Sequence, residues 1–253
     1  MKYAFAGDRQ ISCNLLKFII SKGFLPEALL VSNGKNATHS KELKSISGLK
    51  PDFIFEGQDF KTPENIQKLK GLELDYIIGI HFPYIIPKEV LDIPTVGFLN
   101  LHPAFLPYNK GWNTPSWAII DQTVYGATLH FMSEKLDGGD IIHQKALKVE
   151  SFDTANSLYQ KVLNTEEEVF KEAFESIISL NLNKTKQLHN GTAYRKSDLQ
   201  QIREFNLEDM VVIKDFLNKL RALTTNNTNE TAYYKEGDKK IGVKVEFIEL
   251  DTQ

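Results

Sequence analysis

Gly97-Phe98-Leu99-Asn100-Leu101-His102-Pro103 decides how this chain is read. It begins apolar, as a buried strand does, and then carries two polar side chains two positions apart. Successive side chains on a strand alternate faces, so Asn100 and His102 share one face while Leu99 and Leu101 share the other. Pro103 has no N–H to donate and ends the pairing. An amide and an imidazole thus stand side by side at the end of a core strand, where open α/β sheets bind ligands.

The flanking sequence supplies the sheet. Upstream, residues 2–7, 28–32, 53–55 and 74–80 read as strands. Between them lie an amphipathic helix on Ile11, Leu15, Leu16, Phe18, Ile19 and Ile20, a short helix over 40–46, and a helix over 63–69 with Pro63 near its first turn. This β-α-β-α alternation implies an α/β fold, a Rossmann-like, mostly parallel sheet with helices on both faces. Downstream, 117–121 is briefly helical, and 127–132 and 140–145 read as strands around a loop. A long helix over 154–180 follows, capped by Asp153 or Thr154. The composition shifts near residue 185, which divides a main domain over 1–185 from a smaller C-terminal region over 186–253. That region is expected to hold a helix over 207–223, opening on Glu208 and Asp209, and a hairpin over 233–248 that turns at Gly237-Asp238.

Composition narrows the partners. The 253 residues are 42% hydrophobic and 25% charged, ordinary for a globular protein with a self-sufficient core. A net charge of −3, from 30 basic and 33 acidic residues, leaves no footprint for nucleic acid. No stretch reads as a signal peptide or is apolar for long enough to span a membrane, so no membrane partner is expected. A single cysteine, Cys13, excludes an internal disulfide and cysteine-rich zinc sites and fits a reducing, cytoplasmic setting.

A second piece of candidate chemistry lies in Leu136-Asp137-Gly138-Gly139-Asp140, a carboxylate at a turn whose two glycines let the backbone fold tightly and approach a ligand. Taken singly, Asn100 and His102 also suit loop satisfaction and helix capping, and Asp-Gly-Gly is a common turn. Together the pieces say more. Asn100-Leu101-His102-Pro103, Phe105-Leu106-Pro107, His130-Phe131 and Leu136-Asp137-Gly138-Gly139 occur in an order and spacing that resembles the 10-formyltetrahydrofolate-dependent formyltransferases over roughly residues 1–180. The resemblance implies that Asn100, His102 and Asp137 are catalytic, with His130 supporting or packing behind them. It also implies that folate binds between the Ile80–Pro87 loop and the Asp137 loop, with Phe82, Ile85, Gly138 and Gly139 as contacts.

Formyl transfer suits those residue types. An amine attacks the formyl carbonyl, and a tetrahedral intermediate develops an oxyanion. An amide N–H and a protonated imidazole stabilise that charge, one such donor contributing about 3–4 kcal/mol. A carboxylate beside an imidazole favours its charged form. Protons leave the amine and reach the departing folate nitrogen, a task for His102, Asp137 or a bridging water. No covalent enzyme intermediate and no metal is required.

The acceptor is read from two further stretches. Ala6-Gly7-Asp8-Arg9 stands where purine-pathway relatives carry a phosphate loop, and Arg9 at a helix N-terminus suits a diphosphate, or else is a solvated first-turn residue. Tyr108-Asn109-Lys110-Gly111-Trp112-Asn113 replaces the basic run of the tRNA-directed enzymes. With Gly126-Ala127-Thr128-Leu129-His130-Phe131-Met132, this is similar to the sugar N-formyltransferases, most of all those acting on dTDP-4-amino-4,6-dideoxyglucose. That resemblance implies a nucleotide-linked amino sugar as substrate, with Lys110, Trp112 and Asn113 at the sugar and Arg195 at the diphosphate or base. Trp112 suits ordinary packing as well, and Arg195 a solvated loop. The resemblance further implies a homodimer and a role in surface polysaccharide (O-antigen) biosynthesis. A 3-amino sugar, methionyl-tRNA or a purine precursor as acceptor, and a non-catalytic folate or nucleotide-sugar sensor, are the alternatives.

Overall fold

A computed structural model describes residues 1–188 and 191–250; residues 189, 190 and 251–253 of the expected C-terminal region lie outside it. In chain order the elements are β1 (Tyr3–Gly7), α1 (Arg9–Ser21), β2 (Ala28–Val31), α2 (Ser40–Ser47), β3 (Ile54–Glu56), α3 (Pro63–Gly71), β4 (Tyr76–Ile80), α4 (Lys88–Leu91), β5 (Gly97–His102), β6 (Lys110–Gly111), α5 (Thr114–Asp121), β7 (Tyr125–Phe131), β8 (Ile141–Leu147), α6 (Ala155–Ile178), β9 (Ala193–Tyr194), α7 (Lys196–Gln201), α8 (Ile213–Ala222), β10 (Ala232–Glu236) and β11 (Lys239–Val243).

Seven strands form one sheet in the order β3-β2-β1-β4-β5-β7-β8. The pairs from β3 through β5 are parallel, and β5 pairs with β7 antiparallel. β1, β2 and β4 are buried along their whole length, which explains their near-continuous apolar sequence. The fold is therefore the α/β, mostly parallel architecture read from the alternation of elements.

The chain divides into two compact units. The first comprises Met1–His102, Thr128–Gln144 and Glu166–Leu188. Its core packs alanines and aliphatics of the sheet, among them Ala4, Ala28, Leu30 and Ile77, against Phe55, Phe60, Leu69 and Val90. On α1, Phe18 meets Phe174 of α6 edge to face, with ring centroids 5.0 Å apart. The second unit comprises Pro103–Ala127, Lys145–Thr165 and His189–Gln253. Its core gathers Trp117, Leu199, Leu220, Leu223 and Ala232, with Tyr194, Phe205 and Phe216 packed against them. Thr154 accepts from Ser157 N at the start of α6, as the cap expected there does.

Three expectations in the C-terminal region are corrected. The helix expected over 207–223 begins only at Ile213. Asp209 Oδ2 accepts from Asn206 N at 3.1 Å and Asn206 Oδ1 from Glu208 N at 3.1 Å, so side chains satisfy the backbone in a turn and displace the first helical turns. The second hairpin strand ends at Val243 rather than reaching Ile248. A helix absent from the sequence reading, α7, is capped by Asp198, whose Oδ2 accepts from Arg195 N at 2.7 Å.

Candidate active site

β5 enters the sheet beside β4 and leaves at Pro103, so Asn100 and His102 stand at its carboxyl end. Antiparallel pairing with β7 sets Asn100 opposite His130 and His102 opposite Thr128. His130 is buried, and its Nδ1 lies 2.8 Å from the Phe131 carbonyl oxygen, which requires the ring proton there. Its Nε2 then accepts from Asn100 Nδ2 at 3.1 Å. The orientation of the Asn100 amide follows from this network. One amide hydrogen is committed to His130, and the second is directed elsewhere.

Asp137 comes from the loop between β7 and β8 and meets both imidazoles. Its Oδ2 lies 3.7 Å from His102 Nε2, and its Oδ1 lies 3.8 Å from His130 Nε2. Both separations are longer than a hydrogen bond; the first becomes an ion pair when His102 is protonated, while His130, accepting from Asn100 at Nε2, stays neutral. The His102 and His130 rings stand 6.3 Å apart and perpendicular, at 88°. Four side chains from β5, β7 and the loop after β7 thus converge in one corner of the first unit, all but Asn100 nearly closed to solvent. Such a corner offers amide and imidazole donors, together with a carboxylate able to take up or relay a proton.

The Asp137 turn is tightly held. Asp137 itself adopts φ 43°, a left-handed conformation rare for a non-glycine residue. Phe131 N donates to Asp140 O at 2.9 Å and closes the loop at its neck. A Cβ on Gly139 would fall 1.8 Å from the Phe131 carbonyl oxygen, so this glycine permits close approach of the loop to β7. A Cβ on Gly138 would meet Lys135 at 2.8 Å.

The Ile80–Pro87 loop, on the same unit, starts with a pair that the sequence reading did not include. His81, at φ 51°, points Nε2 at both oxygens of Glu166, at 2.9 and 3.0 Å, and the Glu166 side chain is fully buried. Phe82 stacks at a tilt on Phe60 and Tyr84, with centroids 5.5 and 5.1 Å away, and so belongs largely to the core. Ile85 is 87% exposed, an apolar side chain held open at the loop tip. Arg9 opens α1 at φ 72°, its N–H donating to Thr38 Oγ1 at 3.2 Å, beside Asp8, which is buried and accepts from Thr38 N and His39 N.

In the second unit the remaining candidates are gathered by a parallel ladder that the sequence does not announce. β6 pairs with β9, Lys110 with Ala193 and Gly111 with Tyr194. Trp112 N donates to Tyr194 O at 3.1 Å. Lys110, Trp112, Asn113 and Arg195 therefore lie on one strip although more than 80 residues separate the two segments. Lys110 is buried, Trp112 is half-exposed with Lys196 Nζ 5.3 Å from its ring, and Tyr194 stacks on Trp117 at 3.8 Å. Asn113 adopts φ 55°, and its buried Oδ1 has no hydrogen-bond partner among the described residues.

Comparison with known proteins identifies the family. Residues 26–174 match the family model described as formyl transferase, and residues 198–249 match the N-formyltransferase dimerization C-terminal domain. The dTDP-4-amino-4,6-dideoxyglucose formyltransferase of Mycobacterium tuberculosis is 31% identical over 171 residues, covering 68% of this chain and 72% of that protein. The methionyl-tRNA formyltransferase of Clostridioides difficile is 29% identical over 200 residues, covering 77% of this chain and 65% of that protein. A crystal structure of a 4-N formyltransferase from Francisella tularensis superposes with a TM-score of 0.82 at 25% identity, over 98% of both chains. The match over most of the sheet, with the candidate residues where the fold brings them together, assigns this chain to the formyl transferase family.

Proposed function

We propose that this formyltransferase moves a formyl group from 10-formyltetrahydrofolate to the amino group of a nucleotide-linked aminodideoxy sugar, dTDP-4-amino-4,6-dideoxyglucose being the favoured acceptor. The observation that carries the chemistry is the corner formed by Asn100, His102, His130 and Asp137. The 4-amino sugar is favoured by the identity to the mycobacterial enzyme and by the end-to-end likeness to the Francisella 4-N formyltransferase. The dimerization-domain match at residues 198–249 favours the sugar enzymes over tRNA-directed ones.

The sugar amine attacks the formyl carbon, and the carbonyl electron pair moves to oxygen. Asn100, through the amide hydrogen not committed to His130, and His102 stabilise the oxyanion; each such donor contributes about 3–4 kcal/mol. Asp137 orients His102 and takes the proton from the amine. When the tetrahedral intermediate collapses, the bond to the folate nitrogen breaks and that nitrogen takes a proton from His102, which the proton held on Asp137 then replaces. His130, held in one tautomer by the Phe131 carbonyl, orients Asn100. Ile85 and the Asp137-Gly138-Gly139 turn offer the pterin an apolar and backbone-lined seat, with Phe82 supporting Ile85's loop from the core side. Lys110, Trp112 and Asn113 serve the sugar, and Arg9 and Arg195 serve the diphosphate or base.

The enzyme acts as a homodimer in the cytoplasm, supplying formamido sugars for surface polysaccharide (O-antigen) assembly. The dimer reading rests on residues 198–249 and on the consecutive apolar run Met210-Val211-Val212-Ile213, each more than half exposed. The hairpin β10–β11, by contrast, buries Ala232 and packs Val243 in its own unit. Sedimentation of Ile213→Asp as a monomer, against a dimeric parent, is the expected result. For the activity, 10-formyltetrahydrofolate is offered with a panel of dTDP-4-amino and dTDP-3-amino sugars and with methionyl-tRNA, and products are read by mass. Formylation of the 4-amino sugar is expected; formylation of methionyl-tRNA alone would refute the sugar reading.

A further inference from the structure

Gln187 lies in the connection that follows α6, a polar stretch with no periodicity. Its side-chain nitrogen donates to the carbonyl oxygens of Asp137 and Gly139, at 2.8 Å each. The two carbonyls bracket Gly138, so a single amide spans the turn that carries the carboxylate. Two carbonyl acceptors around one atom require an NH2 group there, which sets the orientation of the Gln187 amide. The connection itself is tied to the sheet, with Ile141 N donating to Thr185 O at 2.8 Å and Thr185 N to Ile141 O at 2.9 Å.

The other side of the turn is fixed as well. Gly139 lies against the Phe131 carbonyl too closely to admit a Cβ, so β7 and Gln187 grip the loop from two directions. Between them Asp137 is kept at φ 43°, a conformation that a non-glycine residue retains only where its surroundings enforce it. The Gln187 amide oxygen is buried with no hydrogen-bond partner among the described residues. A side chain kept only for packing would do better without that unmet acceptor. What the glutamine contributes is its nitrogen.

We propose that Gln187 is a positioning residue for formyl transfer, clamping the Asp137 turn so that the carboxylate faces His102 and His130. The inference rests on the roles given above to His102 and Asp137. Gln187 acts through Asp137, whose contacts at 3.7 and 3.8 Å leave little latitude before both are lost.

Gln187→Met keeps the bulk, removes both donors and also removes the unmet oxygen. Gln187→Glu keeps the shape but turns a carboxylate oxygen toward two carbonyls. Both variants are expected to lower kcat about 10- to 100-fold, in line with displacement of a reacting group by an ångström, Glu more than Met. KM for either substrate should move less than about threefold, because ground-state contacts are unchanged. Loss of the donor to the Asp137 and Gly139 carbonyls should lower the melting temperature of Gln187→Met by only a few degrees, so the variant stays folded at the assay temperature and the loss of kcat is not a loss of folded enzyme. In an Asp137→Asn background, Gln187→Met should cost less than about twofold more, since the two act as one unit. An equal fold-loss in both backgrounds, or a Gln187→Met kcat within twofold of the parent, would overturn the clamp. If Asp137→Asn alone turns over like the parent, the carboxylate role falls and the clamp with it, an outcome visible with Gln187 untouched.

Discussion

β5 and β7 pair over four register positions inside a seven-stranded sheet, whereas β6 and β9 pair over two, outside it. The first ladder carries Asn100, His102 and His130; the second gathers Lys110, Trp112 and Arg195. On β5 and β7 each side chain's direction follows from strand alternation in a buried lattice, and His130 is locked further by its bond to Phe131 O. On the short ladder direction depends on loop conformation, as in Asn113 at φ 55°. The proposed function thus puts chemistry on the sheet ladder and acceptor contacts on the short ladder, which is easier to vary, an arrangement that would let one formyl-transfer corner serve different amines.

The sharpest way to break this contrast is to remove a donor from the rigid ladder. Asn100→Ala should lower kcat about 10²- to 10³-fold while leaving substrate KM nearly unchanged, as loss of an oxyanion donor does. A rise in sugar KM at full kcat would move Asn100 to the recognition side of the comparison.

The sheet's rigidity is tested next at Asp8, between β1 and α1. Burial pushes its carboxyl upward, but hydrogen bonds from His39 N and from Thr38 N and Oγ1 outweigh burial and hold it below the usual carboxylate range. A depressed folded-state value means that Asp8 stabilises the fold above the unfolded-state pKa of about 3.9 and loses that contribution as pH falls through the folded value. Asp8→Asn should therefore cost about 1.5–3 kcal/mol at neutral pH, read by urea unfolding, and the difference should shrink as the pH drops below about 4.

The smallest of these effects is expected on the short ladder. Trp112→Ala should raise the nucleotide-sugar KM about tenfold, the equivalent of about 1.4 kcal/mol, with kcat held within about twofold. Were kcat to collapse instead, the recognition strip would be part of the chemistry and the contrast would fail.

Much of the rigid side was legible beforehand. The alternation of Leu99, Asn100, Leu101 and His102 ahead of Pro103 defines both the strand and the shared face, and Asp137-Gly138-Gly139 announces a turn. What the sequence did not disclose depends on pairing between distant segments. Nothing in Lys110-Gly111 or Ala193-Tyr194 marks a strand, because two residues show no period. Gln187 lies among polar residues, and only the meeting of its amide with the Asp137 and Gly139 carbonyls singles it out. His81 and Glu166 read separately as a loop residue and a helix charge, yet they form a buried pair. The false helix over 207–212 has a local cause. Glu208 and Asp209 resemble a helix start, but Asn206 and Asp209 spend their side chains on a turn, and Met210 to Ile213 are consecutive apolar residues without helical spacing.

The corner where His102 meets Asp137 is tested most directly by the turnover of His102→Ala. With 10-formyltetrahydrofolate and dTDP-4-amino-4,6-dideoxyglucose, formylated sugar is quantified by mass over time for the parent and the variant. The expected result is a kcat lower by about 10²- to 10⁴-fold, the range for loss of a general acid–base group, with folate affinity retained. A variant that formylates the sugar at the parent's rate would contradict it.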